Sequence, residues 1–224
     1  MSPPCVDAVV VGCSAGGLDA LREILHGMPA DFPVPVIVVA HHAADGDLLM
    51  AEVLGRDSPL RVCALEEKEA ATPGRVHIAP GGYHLLVEAD GTFSLSVDPK
   101  VCNCRPAIDV LFETAADAYG PRLIGVLLTG ANRDGSQGLL AIRRAGGMTV
   151  VQDPATAAVA TMPQAAIDAG AADRVLALGD IAAFLREAAG ASRPGGANRV
   201  EFEPFEKCDT PCGGVTRKQG AADE

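Results

Sequence analysis

The chain has no tryptophan, and aromatic residues make up 4% of its 224 positions. A core must therefore be built from Val, Leu, Ile and Ala, which together with the other apolar residues reach 48%. That proportion and length suit one sizeable globular domain. Basic residues are outnumbered, 18 Lys and Arg against 29 Asp and Glu, for a formal charge of −11. There is no basic footprint for nucleic acid, and none is expected as a partner. No apolar run approaches the roughly 18 residues that a membrane-spanning helix needs, so no membrane insertion is expected. The start, Met1-Ser2-Pro3-Pro4, lacks the positive flank and apolar stretch of a secretory signal, which makes the cytoplasm the expected compartment.

Cysteine is present but scattered: seven residues, at 5, 13, 63, 102, 104, 208 and 212. An odd, unclustered set in a cytosolic chain reads as mostly reduced thiols. The spacings Cys102-Asn103-Cys104 and Cys208 to Cys212 fall far from the usual zinc patterns, so no metal site is expected from them.

What is abundant is alternation of buried-type strands with amphipathic helices. Strands are expected at Val6–Val11, Val34–Val39, Leu60–Leu65, Arg75–Ala79, Leu123–Thr129, Met148–Val151 and Arg174–Leu178. Helices are expected after the first strand (with Leu18, Leu21, Ile24 and Leu25 on the buried side), from Asp47, after Pro106, after Asp134, over Met162–Ala169 and over Asp180–Ala189. Tyr83–Val87 and Thr92–Val97, joined through Asp90-Gly91, read as an antiparallel hairpin within an otherwise parallel pattern. The expected fold class is α/β: a doubly wound, mainly parallel sheet with helices on both faces and an antiparallel hairpin. Residues 1–190 form the expected folded domain. From Ser192 the chain turns rich in Gly, Pro and charge, so 191–224 are expected to be a flexible tail, with Phe202 and Phe205 its only apolar features of size.

In such a sheet, ligands bind outside the carboxyl ends of the strands. Three reactive side chains emerge there: Ser14 in the turn Gly12-Cys13-Ser14-Ala15-Gly16-Gly17, His41 with its neighbour His42 after the second strand, and Asp134 after Leu123–Thr129. A serine nucleophile needs a base, and the base needs a carboxylate to hold its tautomer. Each residue also has a purely structural reading. Ser14 caps the helix it precedes, the histidine makes a strand-end hydrogen bond, and Asp134 with Gln137 forms a capping box. Since neighbours on a strand point to opposite faces, only one of His41 and His42 can meet Ser14. His26, His77 and His84 fall on a helix end or strands of the hairpin region and read as structural. The pattern G-x-S-x-G at Gly12–Gly16 also matches a hydrolase elbow, but it follows the first strand and the order Ser, His, Asp differs from that fold's. A dinucleotide fingerprint would want Gly at position 14 and an acid after the second strand, where Ser14 and His41 stand.

Five segments in order, Val9–Gly17, Val38–His41, His77–Gly82, Arg105–Phe112 and Leu127–Gly135, resemble the catalytic domain of the CheB chemoreceptor methylesterase family, and the similarity runs on through Gln152-Asp153-Pro154 and Met162-Pro163. The resemblance implies hydrolysis of glutamate methyl esters on methyl-accepting receptors, with deamidation of receptor glutamines as a second activity, and no cofactor. It places the nucleophile on Ser14, the base on His41 rather than His42, and the orienting acid on Asp134. Backbone donors near Ala15, Gly16, Ala131 and Asn132 are the oxyanion or substrate-loop candidates. The family often has Thr, Gln, Met and Gly where Ala15, Ala40, Ala131 and Asn132 stand. Typical members also carry a phosphorylatable receiver before the esterase. With the first strand beginning near residue 6, regulation would fall to a separate response regulator acting in trans. Altered loops and a missing receiver also fit a second reading, a binding module that keeps the fold and has weakened turnover.

Overall fold

The computed structural model describes residues 6–41 and 47–190. Its first two strands are made by runs too apolar to lie at a surface. β1 (Ala8–Cys13) and β2 (Val36–Ala40) are buried at every position. Burying each Val side chain of such a run contributes about 1.5–3 kcal/mol. Strands with no polar face sit only in a sheet covered on both sides. β3 (Arg61–Ala64), β4 (Arg75–Ile78), β7 (Leu123–Leu127), β8 (Met148–Gln152) and β9 (Arg174–Leu176) complete that sheet, in the order β3-β4-β2-β1-β7-β8-β9. All of its pairings are parallel.

Alternate residues of β1 face different layers. Val9, Val11 and Cys13 pack with Leu21, Ile24 and Leu25 of α1 (Gly17–His26), Leu54 of α2 (Asp47–Asp57), and Ile181 and Leu185 of α6 (Leu178–Gly190). Ala8 and Val10 pack with Leu111 and Phe112 of α3 (Ile108–Tyr119), Leu139 and Ile142 of α4 (Ser136–Arg144), and Met162 and Ala166 of α5 (Thr161–Asp168). The doubly wound α/β reading therefore describes the molecule. The hairpin, β5 (His84–Val87) with β6 (Phe93–Ser96), is antiparallel as expected, but it forms a separate two-stranded sheet and leaves the main sheet wholly parallel. Leu85 and Phe93 turn toward the α3 layer.

Three details depart from the sequence reading. β1 starts and ends two residues later than expected: its ladder with β7 begins at Ala8, after the Asp7 N–H has donated to Arg122 O at 2.8 Å, and its ladder with β2 runs on to Cys13. Leu18 is 38% exposed; α1 turns Gly17, Ala20 and Leu21 inward instead. His77 lies in the main sheet, on β4, rather than in the hairpin. His42, Cys5, Cys208, Cys212 and the whole 191–224 segment fall outside the described residues.

The chain leaves β1 for β2 on one side and reaches β7 on the other. This reversal of winding opens a crevice at the carboxyl ends of β2, β1 and β7. Gly12 lets α3 come close to that crevice. A Cβ at Gly12 would lie 2.3 Å from Cγ2 of Ile108, the first residue of α3.

Candidate active site

Strand register carries Ser14 and His41 to one edge. Cys13 and Ala40 are the last paired residues of β1 and β2, and the His41 N–H continues the ladder by donating to Cys13 O at 3.1 Å. On the other side, the Leu128 N–H donates to Gly12 O and the Ser14 N–H to Thr129 O, both at 2.9 Å. The exits of the three strands thus lie side by side. Paired residues of neighbouring strands point to the same face, so Ser14 and His41 follow the Val10–Ile37 pair toward α3.

Asp134 reaches the same edge from the turn after β7. It is fully buried, and its Oδ2 lies 2.8 Å from His41 Nε2. The same Oδ2 accepts the Ile108 N–H at 2.8 Å, and Oδ1 accepts the Asp109 N–H at 3.0 Å. These are the orphan donors of α3, whose N-cap residue, Ala107, has no side chain able to cap them. The capping-box reading of Asp134 is therefore corrected: α4 starts from Gly135 at φ 94°, with no side-chain cap. Asp134 caps the other helix. Burial pushes its carboxyl up, but the hydrogen bonds from His41 and from the N–H groups of Asp109 and Ile108 outweigh that and hold it below the ordinary carboxylate range. An anion fixed beside the imidazole is the element a histidine base needs.

Ser14 is half-buried, and it does not cap α1 either. The helix starts from Gly16 at φ 77°, without a side-chain cap. The Ser14 carbonyl accepts the Gly17 N–H at 2.8 Å, whereas its hydroxyl makes no hydrogen bond to a described residue. The backbone N–H groups of Ala15, Gly16 and Ala131 likewise have no acceptor among the described residues. Asn132 is committed: its Oδ1 accepts the Asp134 N–H at 3.1 Å and its Nδ2 donates to Cys104 Sγ at 3.4 Å.

Residues that sequence reasoning passed over hold this loop. Thr129 Oγ1 donates to Ala15 O at 2.8 Å and accepts the Val159 N–H at 2.9 Å. Buried Gln152 accepts the Thr129 N–H at 2.8 Å and donates to Thr156 O at 3.0 Å. Gly130 bonds both ways with the entry to α5, donating to Val159 O ahead of the helix and accepting from the Met162 N–H in its first turn. A Cβ on Gly130 would sit 2.6 Å from Met162 Sδ and 3.0 Å from Ser14 Cβ.

Cys104 was also missed as a site residue. Its Sγ lies 3.6 Å from His41 Nδ1, the ring nitrogen that Asp134 does not take. It is presented by a tight turn closed by reciprocal Val101 and Cys104 backbone bonds, with Cys102 and Asn103 at φ 50° and 62°. Burial, and then the charge of Asp134, push the Cys104 thiol up, and its Sγ donates to Cys102 O at 3.4 Å. The Asp134 carboxylate accepts from Nε2, so the ring proton sits there and Nδ1 keeps its lone pair.

The other candidates are structural. His77 is buried, accepts the Thr72 N–H at 3.2 Å and stacks at a tilt on Phe93. His84 accepts the Ala107 N–H through Nδ1 and donates through Nε2 to Pro99 O. His26 faces the Asp57 carbonyl at the surface. Cys13, next to Ser14, is sealed under α1, and burial pushes its thiol up to about 12.

Comparison with known proteins identifies the family. A Leptospira interrogans (serogroup Icterohaemorrhagiae serovar copenhageni) protein is 48% identical over 176 residues, 79% of this chain and 91% of that one; its provisional name is protein-glutamate methylesterase/protein-glutamine glutaminase. Anaeromyxobacter dehalogenans protein-glutamate methylesterase/protein-glutamine glutaminase 2 is 46% identical over 182 residues, 81% of this chain. The Myxococcus xanthus protein-glutamate methylesterase FrzG is 41% identical over 186 residues, 83% of this chain. The chain spans only about half the length of these last two, 53% and 55%. The crystal structure of the Thermotoga maritima CheB methylesterase catalytic domain superposes with a TM-score of 0.79 at 36% identity, covering 82% of this chain and 99% of that one. The model of the CheB methylesterase family matches residues 9–185, and the chain belongs to that family.

Proposed function

We propose that this chain is a protein-glutamate methylesterase that works through Ser14, His41 and Asp134. The observation that carries the reading is the 2.8 Å contact of His41 Nε2 with buried Asp134, one strand away from an uncommitted Ser14 hydroxyl. Because Asp134 takes Nε2, the base is Nδ1. Ser14 Oγ attacks the carbonyl carbon of a glutamate methyl ester while Nδ1 takes the hydroxyl proton. The imidazolium formed is stabilised by the Asp134 carboxylate, which keeps its charge. The N–H groups of Ala15, Gly16 and Ala131, which have no acceptor among the described residues, are the donors offered to the tetrahedral oxyanion. Collapse expels methanol, which takes the proton from Nδ1. Water then attacks the acyl-enzyme with the same base, releasing glutamate and restoring Ser14.

A glutamine side chain gives the same acyl-enzyme with ammonia as the leaving group, so the paired activity in the relatives' names needs no second site. The substrate class is a methylated chemoreceptor or a similar methylated signalling protein, with a separate response regulator as the candidate controlling partner. Among the described residues no helix is long and apolar enough to cross a membrane.

The test is methanol release from a methylated receptor fragment. Ser14→Ala should fold as the parent does and lose roughly 10³-fold or more of the activity. Equal release by parent and variant would remove Ser14 from the reaction. No release by a well-folded parent would favour the binding-module reading.

A further inference from the structure

The cluster around His41 has a second chemistry. His41, Cys104 and Asp134 each present a ligand atom, and the three atoms lie within 4.8 Å of one another. Cys102, at the other end of the same tight turn, stands within 4.8 Å of the Asp134 and Asp109 carboxylates. Imidazole, thiolate and carboxylate are the donor types that bind zinc. The spacing fits as well. With Zn–N of about 2.0–2.1 Å and Zn–S of about 2.3 Å at tetrahedral angles, nitrogen and sulfur stand about 3.6 Å apart, and His41 Nδ1 and Cys104 Sγ are 3.6 Å apart. The turn that presents Cys104 is fixed by two backbone bonds and two left-handed residues, so the thiol is held in place. The site is reachable, since Cys104 is half-buried and Cys102 exposed.

We infer that His41 Nδ1 and Cys104 Sγ form an inhibitory site for a thiophilic divalent cation of the zinc class, with water completing its shell and Asp134 holding the ring from the opposite nitrogen. Binding releases the Cys104 proton to solvent and places the metal on the Nδ1 lone pair. That lone pair is the one the proposed esterase mechanism uses to take the Ser14 proton. A cation held there therefore switches the base off, and a chelator restores it. The metal site stands on its own geometry; only its inhibitory consequence rests on the esterase reading.

Cobalt(II) reports on the site without any assay of activity. Added to the reduced full-length chain, it should give a near-ultraviolet thiolate-to-cobalt charge-transfer band together with visible bands of tetrahedral intensity. Cys104→Ser and His41→Ala should each weaken binding by at least about tenfold. Cys63→Ser should leave it unchanged, although Cys63, Glu69 and His77 form another compact cluster. Zinc should displace the cobalt and stop methanol release by the parent, EDTA should reverse that, and Cys104→Ser should resist it. No cobalt band in the parent, or a band untouched by Cys104→Ser, overturns the site. A band lost in both variants while zinc leaves methanol release unaffected overturns the inhibition.

Discussion

Asp134 and Asp109 cap each other's helices. Asp134 Oδ1 accepts the Asp109 N–H in the first turn of α3 at 3.0 Å, and Asp109 Oδ1 accepts the Gly138 N–H in the first turn of α4 at 2.8 Å. The residue that faces His41 is thus also the clamp between the two helices beneath the site. Position and charge of the carboxylate are set by the same bonds.

Replacing Asp134 should therefore damage two properties by different amounts. Asp134→Ala leaves two buried N–H groups of α3 without an acceptor and should cost about 2–4 kcal/mol of stability. Asp134→Asn keeps one oxygen for those donors and should cost less, while activity still falls by about 10²-fold or more because the imidazolium loses its counter-charge. Denaturant melts and methanol release measured on both variants check this. An Asn variant with parental activity would contradict the assigned role.

The reciprocal caps also predict a pH effect. Burial, reinforced by the charge of Asp134 and opposed by the N–H groups of Gly138 and Gly135, pushes the Asp109 carboxyl up to about 6. A group whose folded value is raised holds its proton more tightly in the native state, so its contribution is full at low pH and is lost as pH rises from about 4 through about 6. Asp134 is held low and acts in the opposite sense, losing its contribution as pH falls below the ordinary carboxylate range. Asp109→Asn retains an oxygen for Gly138 and removes the first effect alone. The stability difference between parent and variant should shift in the variant's favour by on the order of 2 kcal/mol between about pH 4 and about pH 7. Thermal melts across that range test it, and a difference independent of pH would contradict the assignment.

Gly130 separates packing of the nucleophile from packing of the core. The added methyl of Gly130→Ala meets the flexible end of Met162 and the Cβ of Ser14. The expected stability loss is about 1–3 kcal/mol, with a disproportionate fall in kcat because Ser14 is displaced. Gly12→Ala meets Ile108 on the helix side instead, and its cost should appear mainly in stability. Similar kcat for the two variants would contradict this division.

Much of the frame was legible in the residues. Continuous apolar runs marked Val6–Val11, Val34–Val39 and Leu123–Thr129 as buried strands, and the glycine-rich exit of the first put Ser14 at a carboxyl edge. Asp134 was legible as a candidate site residue but not in its bonding. Local pattern sees only the helix that follows it, whereas its carboxylate serves Ile108, 26 positions earlier in the chain. Cys104 was invisible for the same reason. Its spacing to Cys102 matches no metal pattern, and the histidine it faces is 63 positions away. The edges of β1 were misplaced by two residues because hydrophobicity marks the run but not where its pairing begins.

The proposed convergence of Ser14, His41 and Asp134 is tested most directly by the rate at which a fluorophosphonate labels the full chain, with the adduct mapped by peptide mass. Labelling should fall on Ser14 alone, and His41→Ala and Asp134→Asn should each slow it by about 10²-fold or more. Labelling elsewhere, or at an unchanged rate in His41→Ala, would contradict the account.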